Sequence, residues 1–157
     1  MEQKKQNNLD VLTTRFVSLF FLLALSGCTS IRLIANYDEQ TDTSITAFQR
    51  KMETFLTGLE RNAGKPEARY EANVQFYDEA RVDLSVIHVR AAAIPKNDIT
   101  IKQIDLLIDS LSKLEELHGQ GISREQVAPL RTAFNTTCTA ILKLELAKKR
   151  GESTEKQ

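Results

Sequence analysis

The sequence predicts an all-α protein, an antiparallel up-down-up-down four-helix bundle. Apolar residues recur at alternating spacings of three and four in four separate stretches, which is the pattern of helices that pack against one another. Most Gly and Pro residues lie at the breaks between those stretches, and 157 residues with 41% hydrophobic side chains are enough for one domain with a buried core. Because the connections are short, successive helices should be antiparallel neighbours.

The first two helices are predicted from their apolar seams. Helix 1 runs from about residue 31 to 59, and helix 2 runs from Pro66, a residue suited to a first helical turn, to about residue 93. The stretch Val82–Val86 also alternates like a strand, but a lone strand would have no pairing partner, so a helix is preferred. The seam residues are Ile45, Phe48, Met52, Phe55 and Leu59 in helix 1, and Tyr70, Val74, Tyr77, Leu84, Ile87 and Ala91 in helix 2.

Capping boxes indicate where the last two helices start. Thr100–Gln103 predicts the start of helix 3, which runs to about His118, and Ser123–Gln126 predicts the start of helix 4. Helix 4 is expected to end near Gly151, leaving residues 152–157 as a disordered tail. The seam residues are Ile101, Ile104, Ile108, Leu111 and Leu114 in helix 3, and Val127, Leu130, Phe134, Thr137, Ile141 and Leu144 in helix 4.

The amino terminus has the composition of an export signal. Residues 1–15 carry three basic side chains, and Phe16–Leu25 then has Ser18 as its only polar residue. A run of about ten residues is too short to cross a bilayer comfortably, because a spanning helix needs about 20 apolar residues. The segment therefore predicts export rather than a membrane-spanning helix.

The residues that end this run, Leu25-Ser26-Gly27-Cys28, closely resemble the lipobox of bacterial lipoproteins, in which an aliphatic and two small residues precede a cysteine. The resemblance implies attachment of diacylglycerol to Cys28, removal of residues 1–27 and usually acylation of the new amino terminus. Residues 28–151 would then be a lipid-anchored bundle domain. The alternative is an ordinary secretory signal with a chance cysteine near its cleavage site.

Thr29 bears on which membrane would hold the anchor. In Gram-negative lipoproteins an Asp after the cysteine typically resembles an inner-membrane retention signal, so Thr29 favours the outer membrane, with the domain facing the periplasm. In a bacterium with one membrane, the same anchor would hold the domain on the outer face of the cell membrane. The expected partners are the lipid bilayer, through acylated Cys28, and an envelope protein.

Charge and composition argue against several other classes of function. Residues 28–157 hold 18 basic and 19 acidic residues, so nucleic acid is an unexpected partner for this exported, nearly neutral domain. With Cys28 alkylated, Cys138 has no partner for an intramolecular disulfide and is expected to be a buried apolar residue. The sequence has no nucleophile elbow and no phosphate-binding loop, so it predicts neither an enzyme nor a cofactor.

Two weak constellations remain as candidate sites. Glu115 and His118 have the spacing of a di-iron bundle motif, but a second copy is missing, so no metal is predicted. Asp38 breaks the seam of helix 1, and in an antiparallel hairpin it could approach His88, with Tyr37 beside them. These three residues are the candidate ligand or partner contact, although they could equally be solvated or bonded to one another.

The sequence therefore predicts a membrane-anchored envelope lipoprotein that acts by protein contact, as an adaptor, accessory subunit or structural element. The alternative is a bundle that binds a small molecule or metal between its helices. A dry, packed core with an exposed apolar groove would favour contact, whereas a large cavity with convergent polar groups would favour ligand binding.

Overall fold

The structure, a computed structural model, describes residues 34–154. This part of the chain is helical and has no strand. Its four α-helices are α1 (Glu39–Arg61), α2 (Val74–Ala92), α3 (Asp98–Gln120) and α4 (Arg124–Thr154). The all-α prediction is confirmed. The predicted signal and lipobox, with Cys28, lie outside the described residues.

The helices form the predicted four-helix bundle. α1 packs against α2 and α4, and α3 packs against the same two helices, so each helix touches its two neighbours around a common core. Most of the predicted seam is buried in that core. The fully buried members are Ile45, Phe48, Met52, Leu59, Tyr77, Leu84, Ile87, Ala91, Ile104, Leu111, Leu114, Val127, Phe134 and Ile141. The clearest exception is Val74, which is 38% exposed.

α1 starts eight residues later than the sequence predicted. Asp38 is the N-cap, with extended backbone angles, and its Oδ2 accepts a hydrogen bond of 2.9 Å from the Thr41 amide. A side-chain acceptor at that position satisfies one of the amide donors that a helix start leaves unpaired. Asp38 therefore begins the helix rather than interrupting its seam.

The start of α2 also differs from the prediction. Pro66 opens a 3-10 turn (Pro66–Ala68), a second turn covers Tyr70–Ala72, and the α-helix begins only at Val74. The Asn73 side-chain amide donates to two backbone carbonyl groups before it, at distances of 2.7 and 2.9 Å. Such local side-chain bonds compete with regular helical bonding, which explains the delayed start.

The capping box predicted at Thr100–Gln103 does not form. α3 begins at Asp98, and Thr100 lies fully buried inside its first turn, where its hydroxyl group bonds to side chains of α4. The Thr100 hydroxyl group therefore bonds between α3 and α4 instead of capping the start of α3.

The box at the start of α4 forms in part. The Ser123 amide donates to Gln126 Oε1 at 2.8 Å, while Val127 is buried and Ile122 packs against the core. α4 then continues through Gly151 to Thr154, so the first residues of the predicted tail are helical, and residues 155–157 lie outside the described residues.

The two ends of the bundle carry different parts of the chain. At one end, residues 34–38 lie against the α2–α3 connection and the last turns of α4, through an Ala35 amide bond to the Lys96 carbonyl and a Tyr37 amide bond to Glu152. The other end holds Gly64 and Gly121, both with positive φ. Within residues 34–154, no helix has the length and apolar content needed to span a bilayer.

Candidate functional site

The most distinctive surface of the bundle is a row of valines on the solvent side of α2. Val82, Val86 and Val89 are 62%, 62% and 66% exposed, and their spacing of four and three places them on one face of the helix. We call these three residues the valine ridge. Single exposed apolar residues are normal on proteins, but an aligned row is typical of a contact surface.

The valine ridge is not the core face of α2. The opposite face holds Tyr77, Ala80, Leu84, Ile87 and Ala91, all of which are buried. α2 is thus apolar on two faces, although it packs against neighbours on only one. The solvent face of α2 therefore carries aliphatic side chains that the bundle itself does not cover.

A groove runs along each side of the valine ridge. The groove between α1 and α2 has a volume of about 500 Å³, and Ser44, Val86 and Ala93 contribute to its lining. The groove between α2 and α3 has a volume of about 460 Å³ and is lined in part by Val82 and Ile108. A ridge between two grooves can interdigitate with the side chains of an apposed helix.

Charged and polar residues beside the valine ridge are paired within the bundle. On the α1 side, Lys51 Nζ lies 2.6 Å from an Asp83 carboxylate oxygen. On the α3 side, His88 Nε2 lies 3.1 Å from Asp105 Oδ1, and Arg81 pairs with Glu115. A partner would therefore recognise the apolar side chains of this surface and its shape, because the surface has no net charge of one sign.

The three candidate residues predicted from sequence do not share one site. Asp38 makes two hydrogen bonds of 2.6 Å with the Arg90 guanidinium, which hold the pKa of that carboxyl well below its usual range. His88 bonds to Asp105 on α3 instead. The Tyr37 hydroxyl donates to Asp42 at 3.0 Å. Arg90, two residues beyond His88, is thus the partner that Asp38 finds on α2.

A buried polar network joins α4 to the start of α3 near Asp38. Lys148 Nζ donates to Glu145 Oε1 at 2.5 Å, to Asn97 Oδ1 at 2.7 Å and to Thr100 Oγ1 at 2.8 Å. Glu145 also accepts a bond of 3.2 Å from the Asp38 amide. The side chains of Glu145 and Lys148 are only 1% and 3% exposed, so this ion pair is shielded from water.

His118 lies at the other end of the bundle and is 2% exposed. Its Nε2 lies 2.8 Å from the Ala68 carbonyl oxygen, which can only accept, so Nε2 carries the hydrogen and Nδ1 accepts from the Tyr77 hydroxyl at 2.8 Å. A cavity of about 330 Å³ opens beside His118. Since both ring nitrogens are hydrogen-bonded within the bundle, His118 has a structural role in its packing.

Cys138 is buried, with 1% exposure, and burial raises the pKa of its thiol to about 11. This agrees with its predicted place beside the seam of α4. Among the described residues, no group of three or more His, Cys, Asp or Glu side chains is arranged to hold a metal ion.

Sequence reasoning missed the valine ridge. Its one signal was the alternation at Val82–Val86, which suggested a strand because Val82, Leu84 and Val86 are all apolar. On a helix, that alternation places Leu84 inward and the two valines outward. A helix with aliphatic residues on both faces produces a strand-like pattern.

Comparison with known proteins finds no matching family model, no matching curated protein and no matching solved structure.

Proposed function

We propose that the chain is an envelope lipoprotein, anchored through acylated Cys28, whose bundle acts by protein contact through the valine ridge. It would serve as an adaptor, accessory subunit or structural element in the outer membrane of a Gram-negative cell, facing the periplasm. The observation that carries the contact function is the valine ridge, an aligned apolar row with a groove on each side.

The bundle interior supports contact over ligand binding. Within residues 34–154, each buried side-chain nitrogen or oxygen has a hydrogen-bond partner, so none is left directed at a missing ligand. The aromatic residues at the His118 end pack against one another, and Phe55 and Phe76 are stacked with ring centroids 3.6 Å apart. An interior whose buried polar atoms are paired favours recognition at the outer surface.

The anchor is supported by Leu25-Ser26-Gly27-Cys28 and tested by labelling cells with palmitate. The wild-type protein should incorporate the label and lose residues 1–27. Cys28→Ala should leave an unlabelled precursor of full length, because the lipid acceptor and the recognition feature of the peptidase are the same residue. Label in Cys28→Ala, or none in the wild type, would disprove lipidation.

The contact surface is tested by photo-crosslinking in intact cells. A photoreactive residue at Val86 should capture one discrete protein, whereas the same residue at exposed Thr136 on α4, which has no contact with α2, should not. Adding Val82→Lys should abolish the capture without changing the helical circular dichroism. Equal capture at both positions, or capture that survives Val82→Lys, would exclude the valine ridge as the contact surface.

A further inference from the structure

The connection between α2 and α3 is unusually apolar for an exposed turn. Ala92, Ala93 and Pro95 are exposed, and Ile99 in the first turn of α3 is 52% exposed. Ile34, which lies next to this connection through the Ala35 bond to Lys96, is 41% exposed. We call these five residues the apolar tip. Exposed turns are ordinarily built from polar residues, glycine and proline, so Ala92, Ala93, Ile99 and Ile34 are the unusual members.

The opposite end of the bundle provides an internal comparison. There the exposed residues before α4 are Gly121 and Ser123, and those before α2 are Gly64, Lys65, Pro66, Glu67, Arg69, Glu71 and Ala72. These turns have the ordinary composition of solvated connections. The two ends therefore differ in degree: between residues 92 and 99, four of the six exposed residues are apolar and Lys96 and Asp98 are charged, whereas between residues 64 and 72 two of the seven exposed residues are apolar.

The apolar tip is held in shape from several directions. The Asn97 side chain donates to the Ala91 carbonyl at 2.9 Å and accepts from Lys148 at 2.7 Å, while the Ala35 amide donates to the Lys96 carbonyl at 3.0 Å. Lys96 itself adopts a positive φ of 61°. Because the backbone is fixed in this way, the apolar side chains stay exposed instead of turning inward.

The chain reaches the bundle at this same end. Ile34 is six residues after Cys28, and six fully extended residues span at most about 20 Å. Lipid on Cys28 would therefore keep the apolar tip within that distance of the bilayer. A surface so close to the headgroups can place small aliphatic side chains among them, as interfacial segments do.

We infer that the apolar tip docks on the surface of the bilayer that holds Cys28, so that the bundle stands on its α2–α3 end. This inference rests on the proposed lipid anchor. It adds a second contact with the membrane, made by the protein itself, which sets the orientation of the bundle. A protein covering the tip, or a tip that stays in water, are the alternatives that the experiment must separate.

The absence of tryptophan from the sequence allows a direct test. The protein purified from the cells that make it is reconstituted into vesicles of phosphatidylethanolamine and phosphatidylglycerol, with and without lipids brominated near the headgroup end of their chains. Ile99→Trp reports on the tip, and Gln120→Trp, also exposed but at the other end, is the matched control. Ala93→Trp is a second tip variant should Ile99→Trp disturb the fold. Flotation with the vesicles is measured for every variant.

Docking predicts that brominated lipid reduces the emission of Ile99→Trp, because its side chain would lie among the headgroups, and leaves the emission of Gln120→Trp unchanged. Flotation without quenching of either variant would overturn the docking but leave the anchor intact. Failure to float would overturn both proposals. Blue-shifted emission of Ile99→Trp without quenching would show that a second copy of the chain covers the tip, and quenching of both variants would show a bundle lying flat; either result rejects the inference.

Discussion

Replacing Lys148 by methionine should be among the most damaging single changes in the bundle. The ammonium group donates to Glu145, Asn97 and Thr100, and removing it would leave the Glu145 carboxylate, 1% exposed, without its countercharge. Breaking a buried ion pair in this way costs about 3–5 kcal/mol, which is a large share of the roughly 5–15 kcal/mol that keeps a domain folded. With a urea m-value of about 2 kcal/mol/M, the unfolding midpoint should fall by about 2 M.

The measurement is urea unfolding followed by circular dichroism, on the chain from residue 29 onward. Lys143→Met, an exposed lysine on the same helix, is the matched control and should change the free energy of unfolding by less than about 0.5 kcal/mol. Glu145→Gln combined with Lys148→Met should recover about half of the loss, since no buried charge then lacks its partner. If Lys148→Met costs no more than Lys143→Met, the ion pair is not buried as described and the reasoning fails.

The chain from residue 29 should itself give a helical spectrum and a cooperative melt, and a strand-dominated spectrum would contradict the bundle. The Cys138 thiol, whose pKa is raised to about 11 by burial, should resist iodoacetamide until the chain is unfolded; fast native labelling would contradict its burial. Because Arg90 lowers the pKa of Asp38, that carboxylate should stabilise the fold above about pH 4, and the stability should be lost as the pH falls through the lowered pKa. Asp38→Asn should therefore lose less stability than wild type between pH 6 and pH 2 in thermal melts, and an equal loss would refute the pairing. Tyr77→Phe should cost about 1–2 kcal/mol in urea unfolding by leaving His118 Nδ1 unpaired, whereas no loss would show that the bond contributes nothing.

Apolar spacing was sufficient to predict the number and order of the helices and most of their buried faces. The spacing of Ile45, Phe48 and Met52 is that of a helix with one buried side. Burial of apolar side chains is the largest favourable contribution to folding, so this spacing is a strong signal. The first residues of the helices were harder to predict from the sequence, because helix starts depend on single hydrogen bonds. Thr100 was predicted to cap a helix, but it bonds across the bundle to Lys148. Asp38 was predicted to make a contact between helices, and it caps α1.

The polar contacts could not be predicted because they depend on the relative heights of neighbouring helices. The expected approach of Asp38 and His88 assumed one continuous helix from Pro66, whereas two 3-10 turns precede α2, so residues 66–73 do not rise along the bundle as part of one α-helix. The resulting shift brings Arg90 to Asp38 and leaves His88 facing Asp105. The Glu145–Lys148 pair could not be predicted from apolar spacing, because both residues are charged and yet buried.

The position of the valine ridge relative to the apolar tip limits which partners could reach it. At about 1.5 Å per residue, Val89 lies about 6 Å and Val82 about 16 Å from Ala93 along the helix. With the tip on the bilayer, the valine ridge would lie within the first 20 Å or so above the lipid, so the partner would be a membrane-proximal helix. Three valines are a small surface for a stable complex in solution. Two proteins held in one membrane need less, because confinement raises the effective concentration of each at the other's surface. The anchor and the valine ridge would thus be two parts of one contact mechanism.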